Sequence, residues 1–380
     1  MDLRDSDAEA AFRAELRSWL ARTLPELPAP PARGDWPARV RFDTDWQRRL
    51  YDAGYAGVSW PAAYGGRDAP PGEQLVFLEE TTRARAPYVG VNFVGTLHAG
   101  PTLIAEGSDE QKEAHLPKIL RGEQVWCQCF SEPDAGSDLA GLTTRAVRDG
   151  DDYVVTGRKI WCSFGHVGEF GELLVRTDSN APKHQGISWL ILPMELPGIE
   201  VRPIETLLGS SEFCEVFLDE VRVPVTQRVG AENDGWRVTN VTLSFERGTA
   251  FVSEMVDALR IAEDLGPSVH DPGDRRDLAH VIAELDALWA LTKRNVSQAA
   301  RDGAPGPGAM MLKLGYSEAR DRLGELSMRV LDRGAFDVAD ELVEERLRTL
   351  SLPIAAGTSQ IQRNIIGERV LGLPKERPWA

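Results

Sequence analysis

Apolar residues recur every three or four positions over the first third of the chain. A capping box, Ser6-Asp7-Ala8-Glu9, opens the first helix, and Phe12, Leu16, Trp19 and Leu20 fall on one of its faces. Prolines 25, 28, 30, 31 and 37 predict an extended connector. Helical spacing resumes from about Asp43 to Ala53. After a turn at Tyr64-Gly65-Gly66 it continues through Leu75 to Arg85, and further helical segments reach Leu120. The period then shortens. Asp152–Thr156, Glu172–Thr177, Ile187–Pro193, Ile199–Arg202 and Phe213–Val223 are short, rich in β-branched residues and separated by Gly, Asp and Pro, which predicts strands. From Trp236 the helical spacing returns. Val252, Met255, Val256 and Leu259 form one stripe, and Leu278, Val281, Ile282, Leu285 and Leu288 another. Leu323, Leu326 and Val330 follow, and then Leu342 to Leu350. Breaks fall at Gly266-Pro267, Asp271-Pro272-Gly273 and Gly303 to Gly308. The expected fold is mainly α with a central β domain: helices over residues 1–125, a compact β domain over 126–233, and a helical bundle over 234–380.

Composition narrows what such a chain does. At 380 residues, 42% hydrophobic and 27% charged, it is long enough for two or three domains of a globular protein. A net charge of −16 opposes nucleic acid or an anionic membrane as the main partner. The acidic start, MDLRDSDAEAAF, lacks a signal peptide's apolar segment, and no apolar run is long enough to span a bilayer. The four cysteines, Cys127, Cys129, Cys162 and Cys214, make neither a disulfide framework nor a zinc spacing, and the six histidines supply no metal motif. Buried free thiols in a reducing cytoplasm are the expectation, with no metal.

The chemistry concentrates in Trp126–Ala146, WCQCFSEPDAGSDLAGLTTRA, which reads as a loop. Ser131, Ser137 and Thr143 bring hydroxyls, and Ala135-Gly136 and Ala140-Gly141 bring small-residue turns. Free amides beside hydroxyls form a donor-rich pocket suited to carbonyl or phosphate oxygens. Read alone, the stretch is equally an ordinary surface turn. No Gly-x-Gly-x-x-Gly lies between a strand and a helix, which argues against a Rossmann site.

Three blocks in order give the loop its context. FSEPDAGSD (130–138), Gly157-Arg158-Lys159-Ile160-Trp161-Cys162-Ser163 and Gly357-Thr358-Ser359-Gln360-Ile361-Gln362-Arg363 resemble the flavin-contacting segments of the acyl-CoA dehydrogenase family. The likeness covers nearly the whole chain. It implies an N-terminal helical domain, a β-barrel-like middle domain and a C-terminal four-helix bundle. It also implies noncovalent FAD, held by Cys129, Phe130, Ser131, Gly136, Ser137, Trp161, Ser163, Thr358 and Gln360. In that resemblance Ser131 donates to the pyrimidine edge, Trp161 packs beside the isoalloxazine and Ser163 lies near its N5 side. Ser137 meets phosphate or the CoA chain, so it also counts as substrate-binding. The residues themselves suit the C-terminal block: Ser359…Gln362 fits a capping box, with Ile361, Ile365, Ile366 and Val370 as its apolar face, and open amides at the helix start suit a pyrophosphate.

The reaction implied is α,β-dehydrogenation of an acyl-CoA in lipid metabolism: a carboxylate takes the α-proton while hydride leaves for flavin N5. The base needs a pKa raised by burial. Most of the family place it just before the Gly-Thr, where this chain has Ala356. A minority carry it in a Glu-Arg pair at the start of the bundle, matching Glu246-Arg247-Gly248, a pattern shared with a bacterial branch. Glu246 is therefore the expected base and Arg247 a substrate contact; read alone, both are helix-surface charges. The family's Arg-x-x-Phe-Gly, which reaches a neighbour's FAD, is missing from DLGPSVHDPGDRRDL (264–278), and its Gly-Gly turn is altered around Arg333-Gly334-Ala335-Phe336. The resemblance implies an electron-transferring flavoprotein as acceptor and a homodimer, a homotetramer or a heterotetramer with a related subunit. The alternatives are a partner subunit of a heteromeric enzyme, an acyl-thioester oxidase, or an enzyme acting on an acyl carrier protein.

Overall fold

The computed structural model describes residues 4–248, 251–302, 309–331 and 341–375, with the side chains at 244–248, 302, 309 and 310 outside the description. Its helices are α1 (Asp7–Thr23), α2 (Trp36–Asp52), α3 (Pro71–Arg83), α4 (Gly100–Glu106), α5 (Asp109–Leu120), α6 (Gly235–Gly248), α7 (Val252–Leu265), α8 (Pro272–Asp302), α9 (Ala309–Leu331), α10 (Glu341–Thr349) and α11 (Ser359–Ile365). Its strands are β1 (Trp126–Cys129), β2 (Arg145–Asp149), β3 (Asp152–Ser163), β4 (Phe170–Arg176), β5 (Ile187–Pro193), β6 (Ile199–Ile204), β7 (Phe213–Pro224) and β8 (Arg228–Val229). The chain divides into two compact units. One gathers residues 28–68 and 87–246; the other gathers 1–27, 69–86 and 247–380.

In the first unit the strands form one eight-stranded sheet, ordered β6-β7-β3-β2-β4-β5-β8, with β1 parallel on β4. Its buried face is lined by Tyr153 and Val155 from β3, Leu173 and Val175 from β4, Leu190 and Leu192 from β5, and Val216 and Leu218 from β7. Buried residues alternate along much of β3 and β7, whereas β4 and β5 are buried on both faces. β1 and β2 were not expected: the stretch read as a loop from Trp126 begins and ends in strand. Cys127 and Cys129 alternate inward on β1, and all four cysteines are free and buried. α2 also starts earlier than expected. Asp35 caps it, accepting from the Ala38 amide at 3.1 Å. Pro37 sits in the first turn, where its missing N–H costs nothing, so the proline-rich connector ends before it.

In the second unit α1 opens with the expected capping box. The Ser6 amide donates to Glu9 Oε2 at 2.7 Å and the Glu9 amide to Ser6 Oγ at 3.3 Å. Phe12, Leu16 and Leu20 are buried on one face. Met255, Leu259 and Ala262 of α7 pack with Leu278, Val281 and Leu285 of α8 and with Tyr316, Leu323 and Leu326 of α9. Leu75 of α3 joins Val252 and Val256. No described helix is long and apolar enough to cross a membrane.

Candidate active site

The segment after β1 is organised by a buried ion pair. Lys159, on β3, is fully buried. Its ammonium donates to Glu132 Oε1 at 2.8 Å and to the Phe130 carbonyl at 3.1 Å. Glu132, 5% exposed, receives three more hydrogen bonds: from the Thr143 amide (2.7 Å), the Thr143 hydroxyl (2.8 Å) and the Thr144 amide (2.8 Å). Burial resists ionisation of this carboxyl, but the Lys159 charge and these donors outweigh it and hold its pKa at about 2. Burial in turn lowers the Lys159 pKa, and the Glu132 carboxylate works against that. The pair ties both ends of the 130–144 segment to β3. Neither residue was singled out in the sequence, although Glu132 lies in the FSEPDAGSD block and Lys159 in the GRKIWCS block.

Beside this pair, β3 bulges. Lys159 faces Val216 and Cys162 faces Cys214 on β7, so Ile160 and Trp161 together oppose one residue. Trp161 has φ +60°, an uncommon conformation for a bulky residue, and its side chain is 56% exposed. The Ile160 amide donates to the Ser131 carbonyl at 2.9 Å, which brings Ser131 next to Trp161. The bulge therefore sends Lys159 and Cys162 inward while presenting an indole outward beside the Ser131 turn.

Ser131 and Ser163 are half-buried, and Gly136 and Ser137 are exposed. The hydroxyls of Ser131, Ser137 and Ser163 make no hydrogen bond to any described residue, and a Cβ added to Gly136 would meet nothing within 4 Å. An open aromatic face beside uncommitted hydroxyl donors fits a planar heteroaromatic with carbonyl edges, so these residues suit FAD. Cys129 and Phe130 differ: their side chains lie in the core. They could offer a ligand only backbone, and the Phe130 carbonyl already accepts from Lys159.

The C-terminal block departs from its expected local structure. Thr358, not Ser359, is the N-cap of α11; its hydroxyl accepts from the Ile361 amide at 3.2 Å. The Ser359 amide donates to the Pro353 carbonyl at 2.8 Å. Gln362 does not complete a capping box but sends Nε2 to the Ala356 carbonyl at 3.1 Å. Two of the amides expected to be open are thus used internally, and α11 spans only seven residues. The apolar side chains are half-buried, whereas Ser359 and Gln362 are buried. Gln360 is exposed. Glu246 and Arg247 lie in α6, but their side chains fall outside the described residues, as do Arg333 to Phe336.

Three family models match successive parts of the chain: the acyl-CoA dehydrogenase N-terminal domain over residues 6–123, the middle domain over 127–221 and the C-terminal domain over 233–371. The chain belongs to the acyl-CoA dehydrogenase family. This is a family of flavoprotein oxidoreductases of lipid metabolism, and its helical, sheet and helical order is the one seen here. Among similar proteins is acyl-CoA dehydrogenase IpdE1 of Mycobacterium tuberculosis, 37% identical, with 96% of this chain aligned to 98% of that protein. Among solved structures, the Tcur3481-Tcur3483 steroid ACAD is 32% identical with a TM-score of 0.86, covering 99% of this chain and 100% of that one. The ChsE4-ChsE5 complex from Mycobacterium tuberculosis is 31% identical with a TM-score of 0.82, covering 99% and 100%. Within this acyl-CoA dehydrogenase, the Ser131–Trp161 surface is the part of the candidate site that the described side chains define most fully.

Proposed function

We propose that the protein is an FAD-dependent dehydrogenase that introduces an α,β double bond into an acyl-CoA thioester. The observation that carries this reading is the exposed Trp161 at a left-handed bulge position, tethered beside the uncommitted hydroxyl of Ser131. Ser131, Ser137, Trp161 and Ser163 would hold the cofactor through side chains and Gly136 through an open backbone. Cys129 and Phe130 would contribute main chain only, and Thr358 and Gln360 the remaining contacts. FAD, when bound, supplies the two-electron acceptor. Glu246 would take the α-proton onto its carboxylate, because Ala356 has no group that can accept one. Arg247 and Ser137 would contact the CoA-bearing substrate. An electron-transferring flavoprotein is the proposed acceptor. Purified protein is expected to carry flavin absorption that bleaches with a suitable acyl-CoA. Glu246→Gln should keep the oxidised spectrum and lose both bleaching and turnover. An unchanged turnover in that variant would remove Glu246 from the mechanism.

A second reading follows from the two similar structures described as pairs of different chains. In it, this chain completes its flavin site only with a related subunit. Colourless protein that gains flavin on co-expression with a neighbouring family member would select this reading over self-sufficiency. The steroid in one of those descriptions makes steroid-linked acyl-CoA thioesters the first substrate class to titrate, followed by branched and straight-chain acyl-CoAs.

A further inference from the structure

The turn that leads into α11 is held in an unfavourable backbone conformation by a buried cation. Ala356 has φ +51° and Gly357 has φ +86°, two left-handed residues in succession, of which only the glycine adopts that region freely. Lys313, on α9, is 2% exposed. Its ammonium donates to the Leu352 carbonyl at 2.7 Å and to the Gly357 carbonyl at 2.9 Å, gripping both ends of the Leu352–Gly357 span. Between them, buried Gln362 holds the Ala356 carbonyl and the Ser359 amide reaches the Pro353 carbonyl. A Cβ on Gly357 would come within 2.9 Å of Gln362 Nε2, so the turn has no slack on that side. An ammonium at such burial loses hydration that its partners, these two carbonyls among them, must replace. Strained backbone that its surroundings over-determine is concentrated at ligand-binding positions.

We infer that Lys313 is a positioning residue for the cofactor: its ammonium fixes the Leu352–Gly357 turn so that Thr358 and Gln360 are presented in one orientation to FAD. This rests on the reading that Thr358 and Gln360 contact FAD. Removing the charge frees the turn, and cofactor binding must then supply the ordering that the protein now supplies beforehand.

The test uses the flavin-bearing form of the full chain, alone or co-purified with its partner subunit. FAD affinity is measured for wild type, Lys313→Met and Lys313→Arg at a temperature where circular dichroism shows each to be folded. A merely structural lysine would lower the melting temperature without changing affinity in that regime. Lys313→Met is expected to weaken FAD binding by about tenfold or more, the scale of one lost charge-assisted hydrogen bond, and Lys313→Arg to recover most of it. A folded Lys313→Met with wild-type affinity overturns the inference. If Lys313→Met does not fold, hydrogen exchange of wild type decides. With the turn held in advance by Lys313, peptides covering 352–362 should exchange as slowly as the middle of α9 even after FAD is removed, and rapid exchange of 352–362 in the FAD-free wild type overturns the inference. A wild type that takes up no FAD in either form sinks the flavin reading itself, a result distinct from either of these.

Discussion

Replacing Lys159 by Met removes one half of a pair with almost no access to water. At the observed N···O distance of 2.8 Å, the gross attraction is about 6 kcal/mol in a medium of effective dielectric 20. Desolvating both ions cancels most of that, so the pair itself contributes little net stability. Losing one member is different: Glu132 keeps its burial and loses its counter-charge, which costs about 3–5 kcal/mol. The three remaining donors from Thr143 and Thr144 place the expected loss at the lower end, about 3 kcal/mol. The Phe130 carbonyl also loses a donor. Denaturant unfolding followed by tryptophan fluorescence should show a lower midpoint in Lys159→Met with an unchanged slope. The acid limb gives an independent check. Because the folded pKa of Glu132 is depressed from 4.5 to about 2, its stabilisation is complete above 4.5 and lost as pH falls through about 2. Without Lys159 the folded pKa rises, so that loss should begin at higher pH. Adding Glu132→Gln to Lys159→Met should restore part of the stability by removing the stranded charge. A Lys159→Met protein within about 1 kcal/mol of wild type, with the same acid limb, would refute the pair's role as the organiser of the segment.

Two further predictions concern other buried groups. Burial raises the Glu254 carboxyl from 4.5 to about 7, with Glu345 reinforcing the shift and Arg320, the Tyr316 hydroxyl and Arg348 opposing it. Its contribution is therefore fully present below pH 4.5 and lost as pH rises through 7, up to about 3 kcal/mol for a shift of this size; Glu254→Gln should abolish that decline, as read by melting temperature from pH 5 to 8. The four buried cysteines should resist a thiol reagent in native protein and all react once the chain is unfolded; rapid native labelling of Cys129 or Cys162 would contradict their packing.

The order of helices, sheet and helices was legible because burial on one face gives α1 a helical period, while β5, buried on both faces, shows as a short apolar run between turn residues. β1 escaped because it is four residues long, and only its two cysteines alternate inward. The early start of α2 escaped because prolines suggest extended chain, although a proline in the first turn is compatible with a helix. At the candidate site, Ser131, Trp161 and Ser163 could be picked out by residue type and resemblance, and the fold joins Ser131 to the strand carrying the other two. Glu132 and Lys159 could not be paired from spacing, since they lie 27 positions apart with β2 between them. The cap at Thr358 was displaced by one residue because Thr and Ser both serve as caps, and the geometry of the preceding turn overrides the preference for Ser.

The two outward residues at 160 and 161 make the length of this strand as important as its composition. With one residue fewer between Lys159 and Cys162, simple alternation would still turn both inward, and what would be lost is the bulge that swings residue 161 out beside Ser131. Substitution at 161 therefore changes the outward surface, whereas deletion there straightens the strand and leaves Lys159 against Glu132.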